Sequence, residues 1–286
     1  IRMDDSGAGK KGSTEIAMGV GYGAGFLIYL FVFIYGSMVM RGVLEEKQNR
    51  IVEIIVSSVK PVQLMMGKIM ALAAVGLTQF LIWIILMGAI FVGARSLFVN
   101  EDTMNKMVQA QTENLMVSPG ANQAAELIEN IEPSEMEKIV QQIEGVNFPH
   151  IILAFLIYFI LGYLLYSSLM AAVAAAVDTE EDMNQLMMPI TIPLIAAMIM
   201  LVSVIKNPEG PLAIWGSHIP FTSPIIMMVR IPFGVPWWEI LLSVGILALS
   251  TYGAIWMAAK IYRTGILMYG KKISWKELIK WLGYKG

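Results

Sequence analysis

The residues best placed to do chemistry are charged and crowded together. Residues 41–60 hold Glu45, Glu46, Lys47, Arg50 and Glu53, with acids and bases interspersed. At 100° per residue, Ile51, Val52, Ile55, Val56 and Val59 fall in one arc of roughly 140°, opposite Glu46, Asn49, Arg50, Glu53, Ser57 and Lys60. Glu46 and Arg50 stand four apart, a weakly stabilising pair on a helix. The pattern predicts an amphipathic helix over 41–60, ended by Pro61. Passive helices lying in lipid headgroups are rich in Lys and Arg. Mixed charge suits a protein partner better, so the chemistry on offer is electrostatic docking.

Other chemistries find little to work with. The chain has no Cys, which removes thiol catalysis and thiolate metal sites. Its two histidines, His150 and His218, sit at the margins of apolar windows without an HExxH context. The 22 methionines raise a Cu(I) path, because thioethers suit that ion. No Cys or His cluster accompanies them, and methionine also fills irregular, moving interfaces. Ala8-Gly9-Lys10-Lys11 is not a Walker A loop: Lys11 occupies the Ser/Thr position and no Gly lies five residues before Gly9. No cofactor is therefore expected on this chain. Inside apolar windows the polar groups include Thr78, Gln79, Tyr158, Tyr163, Tyr166, Ser167 and Ser168. Helix–helix hydrogen bonding is the default use of such groups, and Thr78 and Gln79 are candidates for lining a path. Gly19, Gly21, Gly23 and Gly25 contain two small-xxx-small pairs, the pattern of close helix packing.

The elements that position these residues follow from composition. Hydrophobic residues are 57% of the 286 and charged residues 15%, where soluble chains carry roughly 25% charge. With a mean hydropathy of +0.65, the chain is expected to be an all-α integral membrane protein. A hydrocarbon core of ~30 Å takes about 20 helical residues. Five charge-free windows are long enough: 16–40, 69–94, 151–177, 183–205 and 240–259. Half of the 12 prolines fall in 208–236. That segment is predicted to be two short helices dipping into the outer leaflet, since proline breaks a straight span. Trp215, Trp237 and Trp238 are its interfacial anchors.

Basic residues set the direction. Twelve of the 20 Lys and Arg fall in 41–68 and from Lys260 onward. The positive-inside rule then places both regions in the cytoplasm of a cell-membrane protein. Five crossings with a cytoplasmic C-terminus put Ile1 outside, as the end of an extracytoplasmic region (1–15). The absent Met agrees with this parity, and an upstream signal-anchor span is expected. The outer loop 97–149 holds nine acids against Lys106 and Lys138. It is read as a solvated helical cap, with helices over Ala121–Ile131 and from Ser134, where Ser134–Glu137 is a capping box. Ser274–Glu277 is a second box. It opens a surface helix whose stripe is Trp275, Leu278, Ile279 and Leu282, anchored by lipid through nearby lysines. A net charge of −2 gives no basic field for nucleic acid.

A family resemblance coincides with the charged segment. Gly42-Val-Leu-Glu-Glu-Lys-Gln-Asn-Arg-Ile-Val-Glu-Ile-Ile-Val-Ser-Ser-Val-Lys-Pro61, followed by Gly67-Lys68, resembles the EKE-x-R-x-x-E-x-L-x-x-S-P…GK signature of type-2 ABC exporter permeases. The nearest branch is the NatB-like sodium-efflux permeases. The stretches Ser168–Pro189 and Lys260–Lys272 fit as well, and the resemblance covers the chain from about residue 16. Gln48 stands where the signature has a second Glu, and the family's first span and large outer insertion are missing. The resemblance implies a coupling helix that docks on a separate ABC ATPase, which holds the ATP and Mg²⁺, through Glu45, Glu46, Lys47, Arg50 and Glu53. It also implies a second permease copy or homologue, and efflux of a small ion or amphipathic molecule. The alternative is an ATP-independent secondary carrier or channel. Against it stands the absence of ionisable residues inside the five windows, because proton- or ion-coupled carriers usually keep them there.

Overall fold

The computed structural model describes residues 7–51, 58–98, 148–270, 274–281 and 283. In chain order the helices are α1 (Gly7–Gln48), α2 (Pro61–Phe98), α3 (Phe148–Ala176), α4 (Glu180–Lys206), α5 (Pro211–His218) and α6 (Ser223–Arg230). A 3₁₀ turn (Ile231–Phe233), α7 (Trp237–Gly265) and α8 (Trp275–Trp281) complete them. No strand occurs among the described residues. The chain divides into two compact units, one of residues 1–16 and 79–146, the other of 17–78 and 147–286. In the first, the described residues are helical, the ends of α1 and α2. The second holds every contact discussed below.

Among the described residues, five helices are long and apolar enough to cross a membrane: α1 from Ile16, α2 to Ile90, α3, α4 and α7. Each covers one of the five charge-free windows and overruns it at one or both ends, except that α3 stops at Ala176, one residue short of its window's end. The largest overrun changes the reading of the charged segment. α1 continues through Arg41 to Gln48, because Leu, Glu, Lys and Gln after Gly42 are all good helix formers. It stops at Asn49 and Arg50, where Arg50 takes the left-handed φ of 55°, which side chains other than Gly rarely adopt. The expected amphipathic helix over 41–60 therefore does not begin at 41; residues 41–48 belong to the first span. Glu53 and the rest of 52–57 lie outside the described residues. Pro61 opens α2, since a first-turn proline loses no hydrogen bond.

The proline-rich segment forms α5, α6 and the 3₁₀ turn, none long enough to cross. Gly234, at φ 91°, ends the turn in a conformation open to glycine. Every residue of α6 is buried. α6 packs on α1 where side chains are missing: a Cβ on Gly21 would lie 2.7 Å from the Val229 carbonyl oxygen, and one on Gly25 2.9 Å from Val229 Cγ2. The expected close packing is thus real at this glycine pair, and its partner is a short helix. Gly162 admits the Pro224 ring in the same way. Between α5 and α6, the Phe221 carbonyl accepts a 2.6 Å hydrogen bond from Tyr166. Tyr166 lies eighteen residues along α3, about 27 Å at 1.5 Å per residue. The hairpin tip therefore reaches beyond the middle of α3.

α4 carries Pro189 and Pro193 inside it, and between them Thr191 Oγ1 donates back to Met188 O at 3.1 Å. At α8 the Ser274 N–H donates to Glu277 Oε2 at 3.4 Å, half of the expected capping box. The apolar stripe differs from expectation. Leu278 and Trp281 are buried while Ile279 is 64% exposed; Leu282 lies outside the described residues. The outer-loop helices expected within 97–149 lie outside them as well.

Candidate functional site

Three consecutive side chains at the end of α1 grip different parts of the second unit. Glu46 Oε2 lies 2.6 Å from Lys68 Nζ on α2, and the same ammonium donates to Gly42 O at 2.7 Å. Lys47 is wholly buried. Its Nζ donates to Ala175 O at 2.8 Å and Gly265 O at 2.9 Å, and pairs with Asp178 Oδ1 at 3.0 Å. Gln48 Nε2 donates to the Asp178 carbonyl at 3.0 Å. Asp178 Oδ2 in turn accepts from the Gly270 N–H at 2.6 Å.

Helix chemistry explains this convergence. The last four carbonyls of a helix have no partner within it, and the helix dipole is negative there. Ala175 and Gly265 close α3 and α7, which end side by side. An ammonium has three donors and no acceptor, and here each donor meets a different oxygen. Burying a charge costs heavily unless it is paired and hydrogen-bonded, and Lys47 is both. Gly265 allows the approach: a Cβ there would sit 2.9 Å from Ala175 O and 3.0 Å from Ala176 Cα. The Tyr269 ring closes the site, with its centroid 5.6 Å from Lys47 Nζ and 5.9 Å from Arg50 Cζ, within cation–π range.

A second polar cluster holds the proline-rich segment. Arg230 is 4% exposed. Its Nε donates to Pro208 O at 2.9 Å, one terminal nitrogen to Ser217 Oγ at 2.7 Å, and the other to Glu239 Oε2 at 2.9 Å. Ser243 Oγ donates to Ser217 O at 2.6 Å. This cluster ties together the connection after α4, α5, α6 and the start of α7.

A charged node thus stands at one end of the long apolar helices. The family model described as ABC-2 family transporter protein matches residues 10–260. The chain belongs to the ABC-2 transporter family. It is 29% identical over 273 residues to "Uncharacterized protein YhaP" of Bacillus subtilis (strain 168), covering 94% of this chain and 57% of that protein. It is 26% identical over 256 residues to "Uncharacterized protein MJ1024" of Methanocaldococcus jannaschii, covering 89% of this chain and 51% of that one. The chain thus spans about half the length of these curated relatives. No solved structure matches it.

In this ABC-2 family chain the residues singled out for docking divide. Glu45 and Arg50 are exposed, Glu46 is half-buried and Lys47 is buried. Glu46 pairs with Lys68 instead of with Arg50, because α1 ends between the two. Thr78 and Gln79 are exposed on α2, and Thr78 Oγ1 donates to Ala74 O at 2.8 Å. The tyrosines do what intramembrane polar groups do by default: Tyr163 donates to Ile69 O at 2.9 Å and Tyr158 to Ile240 O at 3.3 Å.

Sequence reasoning missed Asp178, Gly265, Gly270, Arg230 and Glu239. Two signals were available. Thr179 caps α4, its hydroxyl accepting from the Asp182 N–H at 3.2 Å, which pins Asp178 at the junction of two spans. Arg230 is the one Asp, Glu, Lys or Arg between residues 210 and 238.

Proposed function

We propose that this chain is the permease subunit of an ATP-driven exporter, moved by separate ABC ATPase subunits and acting in the efflux of a small ion or amphipathic molecule. Family membership supports the class. The observation that carries the coupling is the node at the end of α1. Residues 49–60 follow a helix end bonded to α2, α3 and α7, so force applied there has a direct route into the spans. ATP and its Mg²⁺ belong to the ATPase in this reading. The NatB-like resemblance makes Na⁺ the first substrate to try.

Docking in this reading falls to the exposed charges, Glu45 and Arg50, with Glu53 three residues further along the chain. Glu46 and Lys47 act from behind them. A second permease copy or homologue faces this one across the path, with Thr78 and Gln79 toward it. Residues 49–60 and the C-terminus are cytoplasmic, and α8 rests on lipid through Lys276 and Lys280.

The test is the full-length protein purified with its native partners and reconstituted in vesicles. ATP-dependent flux of Na⁺ or of amphipathic dyes is expected. The charge reversals Glu45→Lys and Arg50→Glu should weaken ATPase association about tenfold, a typical scale for coupling between sites. Flux without any associated ATPase, unchanged by these reversals, would point to a carrier or channel and end the exporter reading.

A further inference from the structure

We propose that Lys47 is the positioning residue of the coupling step: its ammonium joins the end of α1 to the ends of α3 and α7, so that displacing the residues that follow α1 moves both helices as one. This deepens the exporter reading and rests on it for the source of the force.

The first support is burial. Lys47 is 0% exposed, so it offers nothing to a docking partner despite lying in the docking signature. The second is how its three donors are used. Ala175 O belongs to α3, Gly265 O to α7, and Asp178 to the connection between α3 and α4. One atom thus ties α1 to three other places. A residue needed only to fill this face of α1 could be apolar, as Met40, Val43 and Leu44 beside it are. A lysine there carries a desolvation cost that simple packing does not require.

The third support is proximity to the residues that follow α1. Between Lys47 and the turn at Asn49–Arg50 stands only Gln48, itself bonded to Asp178 O. The fourth is Gly265, whose missing side chain lets the two helix ends meet closely enough for one nitrogen to reach both carbonyls. Coupling needs an element that passes a bias from one site to another through contiguous contacts. These bonds form such a chain over a single residue.

The experiment separates coupling from stability. Lys47→Met should leave the ATPase associated but lower transport per ATP hydrolysed about tenfold, within the usual range of inter-site coupling. The double variant Lys47→Met/Asp178→Asn removes both charges, so thermal stability should recover toward the wild type while transport per ATP stays low. Recovery of both together would make Lys47 a structural residue and overturn the proposal. If Lys47→Met alone fails to insert, the double variant and Asp178→Asn carry the test, with Glu181→Gln as the charge-matched control expected to behave as wild type.

A second readout does not depend on transport. The chain has no native Cys, so spin labels can be placed at Ser58 and Glu180, both exposed. Wild type should give one narrow distance, and Lys47→Met a broad distribution. A narrow, unchanged distance in Lys47→Met sinks the positioning role even if the chain proves not to work with an ATPase. Absent ATP-dependent flux in the wild type, with the label result as expected, would instead fault the exporter reading alone.

Discussion

Arg230 and Glu239 show how a chain this apolar keeps a charge inside. The guanidinium is 4% exposed and the carboxylate 15%, and the arginine spends its donors on Pro208 O, Ser217 Oγ and Glu239. Removing one partner of a buried pair is far more harmful than removing both, since it strands the other charge. Arg230→Met should therefore destabilise the purified protein by about 3–5 kcal/mol, read as a fall in Tm in detergent. Arg230→Met/Glu239→Met should lose clearly less than the single variant. Equal losses would show that the pair does not matter as a pair. Tyr166→Phe offers a milder comparison at the hairpin tip. It deletes the bond to Phe221 O, and interhelical hydrogen bonds in membranes average about 0.6 kcal/mol.

At the scale of elements, α6 is placed by what α1 lacks. Gly21→Val would drive carbon into the Val229 carbonyl, a backbone atom that cannot swing away. Overpacking of this kind costs about 1–3 kcal/mol. Gly19 and Gly23 face open space, so Gly19→Ala and Gly23→Ala should be neutral, or stabilising by up to about 1 kcal/mol through helix propensity. Thermal unfolding of these three variants and of Gly25→Val, whose Cβ would lie 2.9 Å from Val229 Cγ2, checks the contrast, and equal effects at all four glycines would contradict the packing. The four were indistinguishable in the sequence, because spacing shows which share a face and not which face meets a neighbour. The spans were legible for a stronger reason: absence of charge over some twenty residues is a demand of the membrane itself. Helix ends were less so, as nothing local stops α1 at Arg41. Carrying the helix on to Gln48 puts Met40, Val43, Leu44 and Lys47 on one buried stripe at helical spacing. That is the pattern which could have turned Lys47 inward before any coordinates. Asp178 and Gly265 are more than eighty residues apart in sequence, and only the packing of α3 against α7 brings them together.

For the molecule as a whole, the second unit has two chemically distinct ends. At one, the end of α1 meets the start of α2, the ends of α3 and α7 and the start of α4, through Glu46, Lys47, Lys68 and Asp178. At the other, α4 ends at Lys206, the proline-rich hairpin folds in and α7 begins. The excess of Lys and Arg lies at the first end. Lys47 and Lys68 are already engaged inside the fold there, yet Arg41, Arg50, Lys60, Lys276 and Lys280 remain exposed at the surface. Cytoplasmic loops carry such an excess, and the proposed exporter accordingly has its first end facing inward. Freedom from native Cys makes the orientation directly measurable. Single cysteines at Ser58 and Ser274, both exposed, should react with a membrane-impermeant maleimide only after the cell membrane is opened. One at Glu209, exposed beside the hairpin, should react in intact cells. The reverse labelling pattern would turn the molecule over, placing Glu45 and Arg50 outside the cell, where no ATPase could dock on them.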